Sequence, residues 1–146
     1  MGVTIYCKKT KSSIDMGYGG FNNLRNKVAE LAGGPFYPHY LLLSEPRVMF
    51  VFDEKRRKQF FEDFDKRTAE LIETKQADIK IVDFLLQPDC GGKIRYGACK
   101  NILKAIGDYD DDVLYGYCGR PDCAKFVDFK QILQECVDTK SDLVWD

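Results

Sequence analysis

A single histidine, His39, serves the whole chain. A thiol–imidazole nucleophile pair would have to use it. No cysteine and orienting acid stand beside it, and its neighbours Tyr37 and Tyr40 read as part of a surface loop. Ser12, Ser13, Ser44 and Ser141 lack the setting of a nucleophile elbow. No catalytic residue is therefore expected, and an enzyme has little support. Long apolar runs are also missing. No stretch approaches the ~20 residues that a spanning helix needs. The apolar start, residues 1–7, is too short for a signal peptide, and Tyr6 stands where a myristoylation signal wants Ser or Thr. A cytoplasmic protein with no membrane partner is expected. An excess of positive charge is absent too. The net charge is −1, so no global field holds the chain on nucleic acid. A nucleic-acid partner is not expected without a local basic patch. Repeats, low-complexity tracts and linkers are absent, and 146 residues fit one domain spanning 1–146.

What is present is a soluble globular composition, 45% hydrophobic and 31% charged. Residues 3–6 alternate and are β-branched or aromatic, which predicts a strand. Residues 8–13 form a polar turn. Phe21, Leu24, Val28 and Leu31 then recur at helical spacing, and Gly33-Gly34-Pro35 ends that helix. Residues 35–40 read as a loop or a very short helix. The runs 40–43 and 48–52 are short and apolar, the second more strand-like. Asp53 predicts an N-cap, with a helix to about Thr74 that turns Phe60, Phe64 and Leu71 to the core, with Phe61 and Ile72 beside them. A short buried segment follows at 79–86, a turn at 89–92 and a helix over 96–106 closed by Gly107. Residues 113–117 are a short apolar run. Gly119-Arg120-Pro121 predicts the opening of a last helix whose stripe is Cys123, Phe126, Phe129, Leu133 and Cys136 or Val137. Leu143-Val144-Trp145 predicts a terminal strand paired with the N-terminal one. The fold class expected is α+β: a compact single domain, mostly helical, with a small sheet that includes the N- and C-terminal strands.

Several patterns that suggest a site have plainer readings. The loop from Asp89 has the outline of a calcium loop, but Lys93, Arg95 and Lys100 fall where oxygen ligands belong. Cys90, Cys99, Cys118 and Cys123 lack zinc-knuckle spacing, so the six cysteines are expected as reduced, packed thiols and no metal or cofactor is expected. Asp108, Asp110 and Asp112 alternate in a run that most simply is a solvated loop. Lys55, Arg56, Arg57 and Lys58 are four cations in the first turns of a helix, where the macrodipole prefers anions. They form a candidate anion patch.

The most distinctive stretch is Ser13-Ile14-Asp15-Met16-Gly17-Tyr18-Gly19-Gly20-Phe21-Asn22-Asn23-Leu24-Arg25. Its glycines permit positive φ and close backbone approach. A helix start near Phe21 would offer free N–H groups to a phosphate or carboxylate. Tyr18 is placed to stack and Arg25 to pair with an anion. The glycine spacing matches neither a P-loop nor a dinucleotide fingerprint. The candidate ligand-binding residues are Tyr18, Gly19, Gly20 and Arg25, with Arg120 before the proline-led helix start. The alternative is a tight strand-to-helix turn with Tyr18 and Phe21 in the core. Whether Tyr18 and Arg25 face solvent or core decides between the two.

Residues 13–21 with Leu24-Arg25, residues 88–94 with Cys99, and residues 109–112 with Gly119-Arg120-Pro121-Asp122-Cys123 together resemble a family of small uncharacterised proteins of Gram-positive bacteria and their phages. The resemblance spans nearly the whole chain and implies a phage or prophage accessory protein acting in a bacterial cytoplasm. The function expected is non-enzymatic binding of a small anionic ligand, a nucleotide-type signal, as a counter-defence sponge. One alternative is an interaction module that inhibits or modulates a host protein through Phe36, Tyr37 and Tyr40. Another is a small metal-dependent hydrolase built on the acidic loop. A homo-oligomer stays open.

Overall fold

The N-terminal strand β1 (Gly2–Cys7) turns Val3, Ile5 and Cys7 inward and its alternate residues outward, as its alternation predicts. In this computed structural model, residues 2–44, 53–116 and 123–146 are described. Strand β2 (Ser13–Gly17) returns antiparallel to β1, with Gly2 opposite Gly17 and Ile5 opposite Ile14. Lys11, at φ 65°, makes the turn between them. Strand β4 (Leu143–Trp145) lies on the other side of β1, with Ile5 opposite Trp145. Strand β3 (Gly92–Ile94) pairs with β4, with Gly92 opposite Trp145. The sheet is antiparallel in the order β2-β1-β4-β3. The expected pairing of the two terminal strands is found. Strands β2 and β3 were not anticipated, because glycines at 17 and 91–92 made both stretches read as turns.

Neither sheet edge is left open. On β3, the Gln87 amide accepts from Lys93 N at 3.0 Å and donates to Lys93 O at 2.8 Å, standing in for a neighbouring strand. On β2, Gly17 N donates to Tyr115 O and Ala124 N to Asp15 O. In the run expected at 113–117, of which residues 113–116 are described, Leu114 makes an isolated bridge to Lys125.

Six helices accompany the sheet among the described residues. Helix α1 (Tyr18–Ala32) buries Phe21, Leu24, Arg25, Val28 and Ala29, and Gly33 closes it at φ 68°. It starts three residues earlier than expected. Helix α2 (Phe36–Leu41) is short and runs into a 3-10 turn at Leu42–Ser44. Helix α3 (Glu54–Glu73) is capped as expected by Asp53, whose side chain accepts from Lys55 N and Arg56 N. It buries only Phe64, Thr68 and Leu71. Phe60 is half-buried and Phe61 is 42% exposed, so the expected inward placement of both fails. Helix α4 (Ile79–Leu86) is capped by Asp78 and buries Ile81, Val82, Phe84 and Leu85. Helix α5 (Tyr96–Ile106) buries Ala98, Cys99, Ile102 and Ile106. Helix α6 (Phe126–Thr139) has Lys125 as N-cap, with Asp128 accepting from Lys125 N at 2.8 Å. That start corrects the expectation of a helix opening at Gly119-Arg120-Pro121: Cys123 precedes the helix. Residues 48–52, Cys118 and the Gly119-Arg120-Pro121 stretch lie outside the described residues.

The core is centred on the C-terminal Trp145. Phe21 and Phe84 stand 5.9 and 5.5 Å from its ring, and Phe129 stacks on Phe84 at 5.8 Å. A Cβ on Gly92 would fall 2.1 Å from the indole, so only glycine fits opposite this tryptophan.

Candidate functional site

Arg25 faces the core. It occupies the same stripe of α1 as Phe21 and Val28 and is 5% exposed. Its guanidinium lies 4.3 Å from the Phe21 ring, 5.5 Å from Trp145 and 5.6 Å from Phe84. Nη1 donates to Gln87 O at 2.8 Å and to Asp89 Oδ1 at 3.2 Å, and Nη2 reaches Pro88 O at 3.5 Å. Trp145 Nε1 donates to the same Pro88 carbonyl at 2.9 Å. Burial lowers the Arg25 pKa, and the nearby Tyr40 and Asp89 offset part of that shift. A guanidinium nonetheless stays charged. Arg25 therefore pins the loop between α4 and β3 onto the core. Its Nε is buried and has no hydrogen-bond partner among the described residues.

The glycines beside it have different tasks. Gly17, Gly19 and Gly20 do not use the positive φ that glycine permits. Gly20 is needed for close approach, because a Cβ there would fall 2.0 Å from Tyr115 O. Gly19 meets nothing within 4 Å. Tyr18 is half-buried, with its hydroxyl 3.2 Å from Cys90 Sγ. The start of α1 is thus packed against the backbone at Tyr115.

The remaining sequence candidates are dispersed. Lys55, Arg56, Arg57 and Lys58 are exposed at the start of α3, with Arg56 paired to Asp53 at 3.7 Å. Arg120 lies outside the described residues, and the last helix starts at Phe126. Phe36 and Tyr40 are buried and Tyr37 half-buried, so they do not form an aromatic docking face. His39 is not a surface residue but a buried one on α2. In the acidic loop, Asp111 Oδ2 accepts from Tyr115 OH at 2.7 Å and Tyr109 OH at 3.2 Å, while Oδ1 accepts from Val113 N. Those bonds occupy the central carboxylate of the loop. Cys7, Cys99 and Cys136 are buried thiols from three elements. Hydrogen bonding to Cys99, followed by burial, pushes the Cys136 thiol up and keeps it protonated. Among the described residues, no three His, Cys, Asp or Glu side chains converge on a metal position.

One concave surface does gather cations. Lys80, Asp83, Arg95, Tyr96, Gly97 and Ala98 line an open cleft of about 490 Å³ between α4 and the start of α5. Its walls are tied together. Asp78 Oδ1 caps Lys80 N at 2.9 Å, and Asp78 Oδ2 accepts from Asn101 Nδ2 of α5 at 2.8 Å. The Gln87 bridge to Lys93 holds the strand that leads into Arg95. Arg95 is the N-cap of α5 without a side-chain cap, and the first turn holds no acid. Ala98 N and Cys99 N bond to Arg95 O, while the Tyr96 and Gly97 N–H groups find no acceptor among the described residues. The Lys80 ammonium hangs over Gly97, where a Cβ would stand 3.1 Å from it. Lys80 and Arg95 form no ion pair among the described residues, and Tyr96 is 37% exposed. Two unpaired cations, free N–H groups and an exposed ring can hold an anion and stack on a planar group. Asp83 on the rim opposes that attraction in part.

These residues were not among those picked from the sequence. A signal was there: between Cys90 and Gly107 the chain carries Lys93, Arg95, Lys100 and Lys104 and no acid, within a nearly neutral whole. Comparison with protein-family models, with curated proteins and with solved structures found no match to this chain.

Proposed function

We propose that the protein is a non-enzymatic binder of a small anionic ligand of nucleotide type, seated in the cleft of Lys80, Arg95, Tyr96 and Gly97. The observation that carries this reading is the pair of unpaired cations beside the uncapped first turn of α5, with an exposed tyrosine on the same wall. A phosphate fits between Lys80 Nζ, the Arg95 guanidinium and the Tyr96 and Gly97 N–H groups. A base then lies on Tyr96. The role proposed with it, from the resemblance to phage-associated proteins, is sequestration of a host signal. Arg25 has no part in this site, because it is buried and its Nη1 and Nη2 groups are engaged by the loop between α4 and β3.

The reading is tested by thermal shift and titration calorimetry against a panel of nucleotides. Ligand at about a hundred times its Kd stabilises by about 2.7 kcal/mol, which raises Tm by several degrees. Lys80→Ala and Arg95→Ala, both at exposed positions, are expected to lower affinity about tenfold each while leaving the ligand-free Tm nearly unchanged. A panel with no stabilising nucleotide, or variants that bind as the parent does, would overturn the proposal.

A further inference from the structure

The basic surface continues beyond the cleft. Tyr96, Lys100 and Lys104 follow one another at four-residue spacing on α5, and all three are exposed, whereas Ala98, Cys99, Ile102 and Ile106 face the core. At a rise of 1.5 Å per residue they make a row about 12 Å long, with the two lysines about 6 Å apart at Cβ. Among the described residues no hydrogen bond or ion pair engages either lysine, and Asn101 beside them is tied to Asp78. The acids nearest the row on α4 are Asp78, whose oxygens are both engaged, and Asp83 on the cleft rim. The acidic loop begins only after Gly107, past the end of the row. A neutral solvated helix face would interleave acids with these lysines at the same spacing. This one has none.

We infer that the row extends the anion cleft, and that the ligand matching both together is a short single-stranded nucleic acid. One base stacks on Tyr96 and its phosphate sits at Lys80 and Arg95. The following phosphates track Lys100 and Lys104 along the helix. An aromatic platform at the head of a cation track is the arrangement by which single strands are held without sequence preference. The inference rests on the reading of the cleft as a phosphate seat, and adds that the natural occupant has several linked phosphates. It also supplies the local basic patch that a chain of net charge −1 requires for such a partner.

The test is fluorescence anisotropy with a labelled oligothymidylate of about ten nucleotides, with thymidine monophosphate measured separately by calorimetry. The oligonucleotide is expected to bind at least tenfold tighter than the mononucleotide at low salt. The double variant Lys100→Ala with Lys104→Ala, on an exposed helix face, is expected to lose that advantage. Its log–log salt dependence should be shallower by about 1.4, at ~0.7 per phosphate contact. Mononucleotide binding should not change. If the two probes bind equally, or if the double variant keeps the affinity and salt slope for the oligonucleotide, the extended track is wrong and the cleft reading survives. If neither probe binds, both fall together.

Discussion

At the scale of single residues, two adjacent glycines separate close packing from mere permissiveness. Gly20 lies against the Tyr115 carbonyl, where an added Cβ would be 2.0 Å from the oxygen. Gly19 faces open space. Alanine at 20 has to push the Tyr115 backbone away, at a cost of about 1–3 kcal/mol. Alanine at 19 meets no obstacle and gains helix propensity, at most about 1 kcal/mol and less this close to the helix start. Urea unfolding of Gly20→Ala and Gly19→Ala is therefore expected to move the midpoint in opposite directions. Equal shifts would mean that the α1 start does not rest on residue 115. Arg25 carries the companion lesson about legibility. Its spacing from Phe21 and Val28 puts it on their stripe, but a cation among apolar residues left core and solvent open in the sequence. Its hydrogen-bond acceptors were not visible there, because Gln87, Pro88 and Asp89 lie more than sixty residues away along the chain.

At the scale of elements, α3 buries the smallest share of its residues among the described helices, three of its twenty, and among the described residues it packs chiefly on α2. His39 is the polar link. Its ring stacks on Phe64 at 4.1 Å and 15°, and its Nε2 lies 2.9 Å from Thr68 Oγ1. Thr68 spends its own proton on Phe64 O, so His39 Nε2 is the donor in this pair. Burial lowers the His39 pKa below its ordinary 6.5; a backbone hydrogen bond to Phe64 opposes this and Arg67 adds to it. The unfolded chain thus takes up a proton near pH 6.5 that the folded chain resists. The His39 contribution is full above that value and is lost as pH falls below it towards the folded pKa. Tm measured between about pH 7.5 and pH 5.5 should fall more steeply for the parent than for His39→Phe, which cannot titrate. Parallel curves would remove His39 from the account. Strands were unevenly legible at this scale. β1 and β4 show apolar or alternating residues without interruption. β2 has only Ile14 and Met16 to signal its inner face before the glycines begin, and the three residues of β3 follow a glycine turn.

At the scale of the whole molecule, the chain closes on its own C-terminal strand. β4 lies between β1 and β3, so it joins the N-terminal hairpin to the half of the protein that carries the cleft. Asp146 exchanges backbone hydrogen bonds with Thr4 at 2.9 and 3.0 Å, and Trp145 O accepts from Gly91 N. The Trp145 indole holds Pro88 O jointly with Arg25, which fixes the loop leading into β3 and hence Arg95. Replacing Trp145 by alanine removes the largest fully buried side chain and costs about 3–5 kcal/mol. That is a large share of the roughly 5–15 kcal/mol available to a domain. A chain ending at Asp142 loses in addition every hydrogen bond of the central strand, and is expected to show no cooperative urea transition and no near-UV dichroism. Trp145→Phe keeps most of the ring contacts and gives up only the indole donor to a carbonyl that Arg25 still reaches. It should fold with a reduced midpoint. In that variant the Pro88 carbonyl loses its shorter bond, so the effect extends to the cleft: nucleotide affinity should weaken along with stability. If affinity stays at the parental value while the midpoint falls, the core and the cleft are mechanically independent. Arg95 is then positioned by the Gln87 bridge alone.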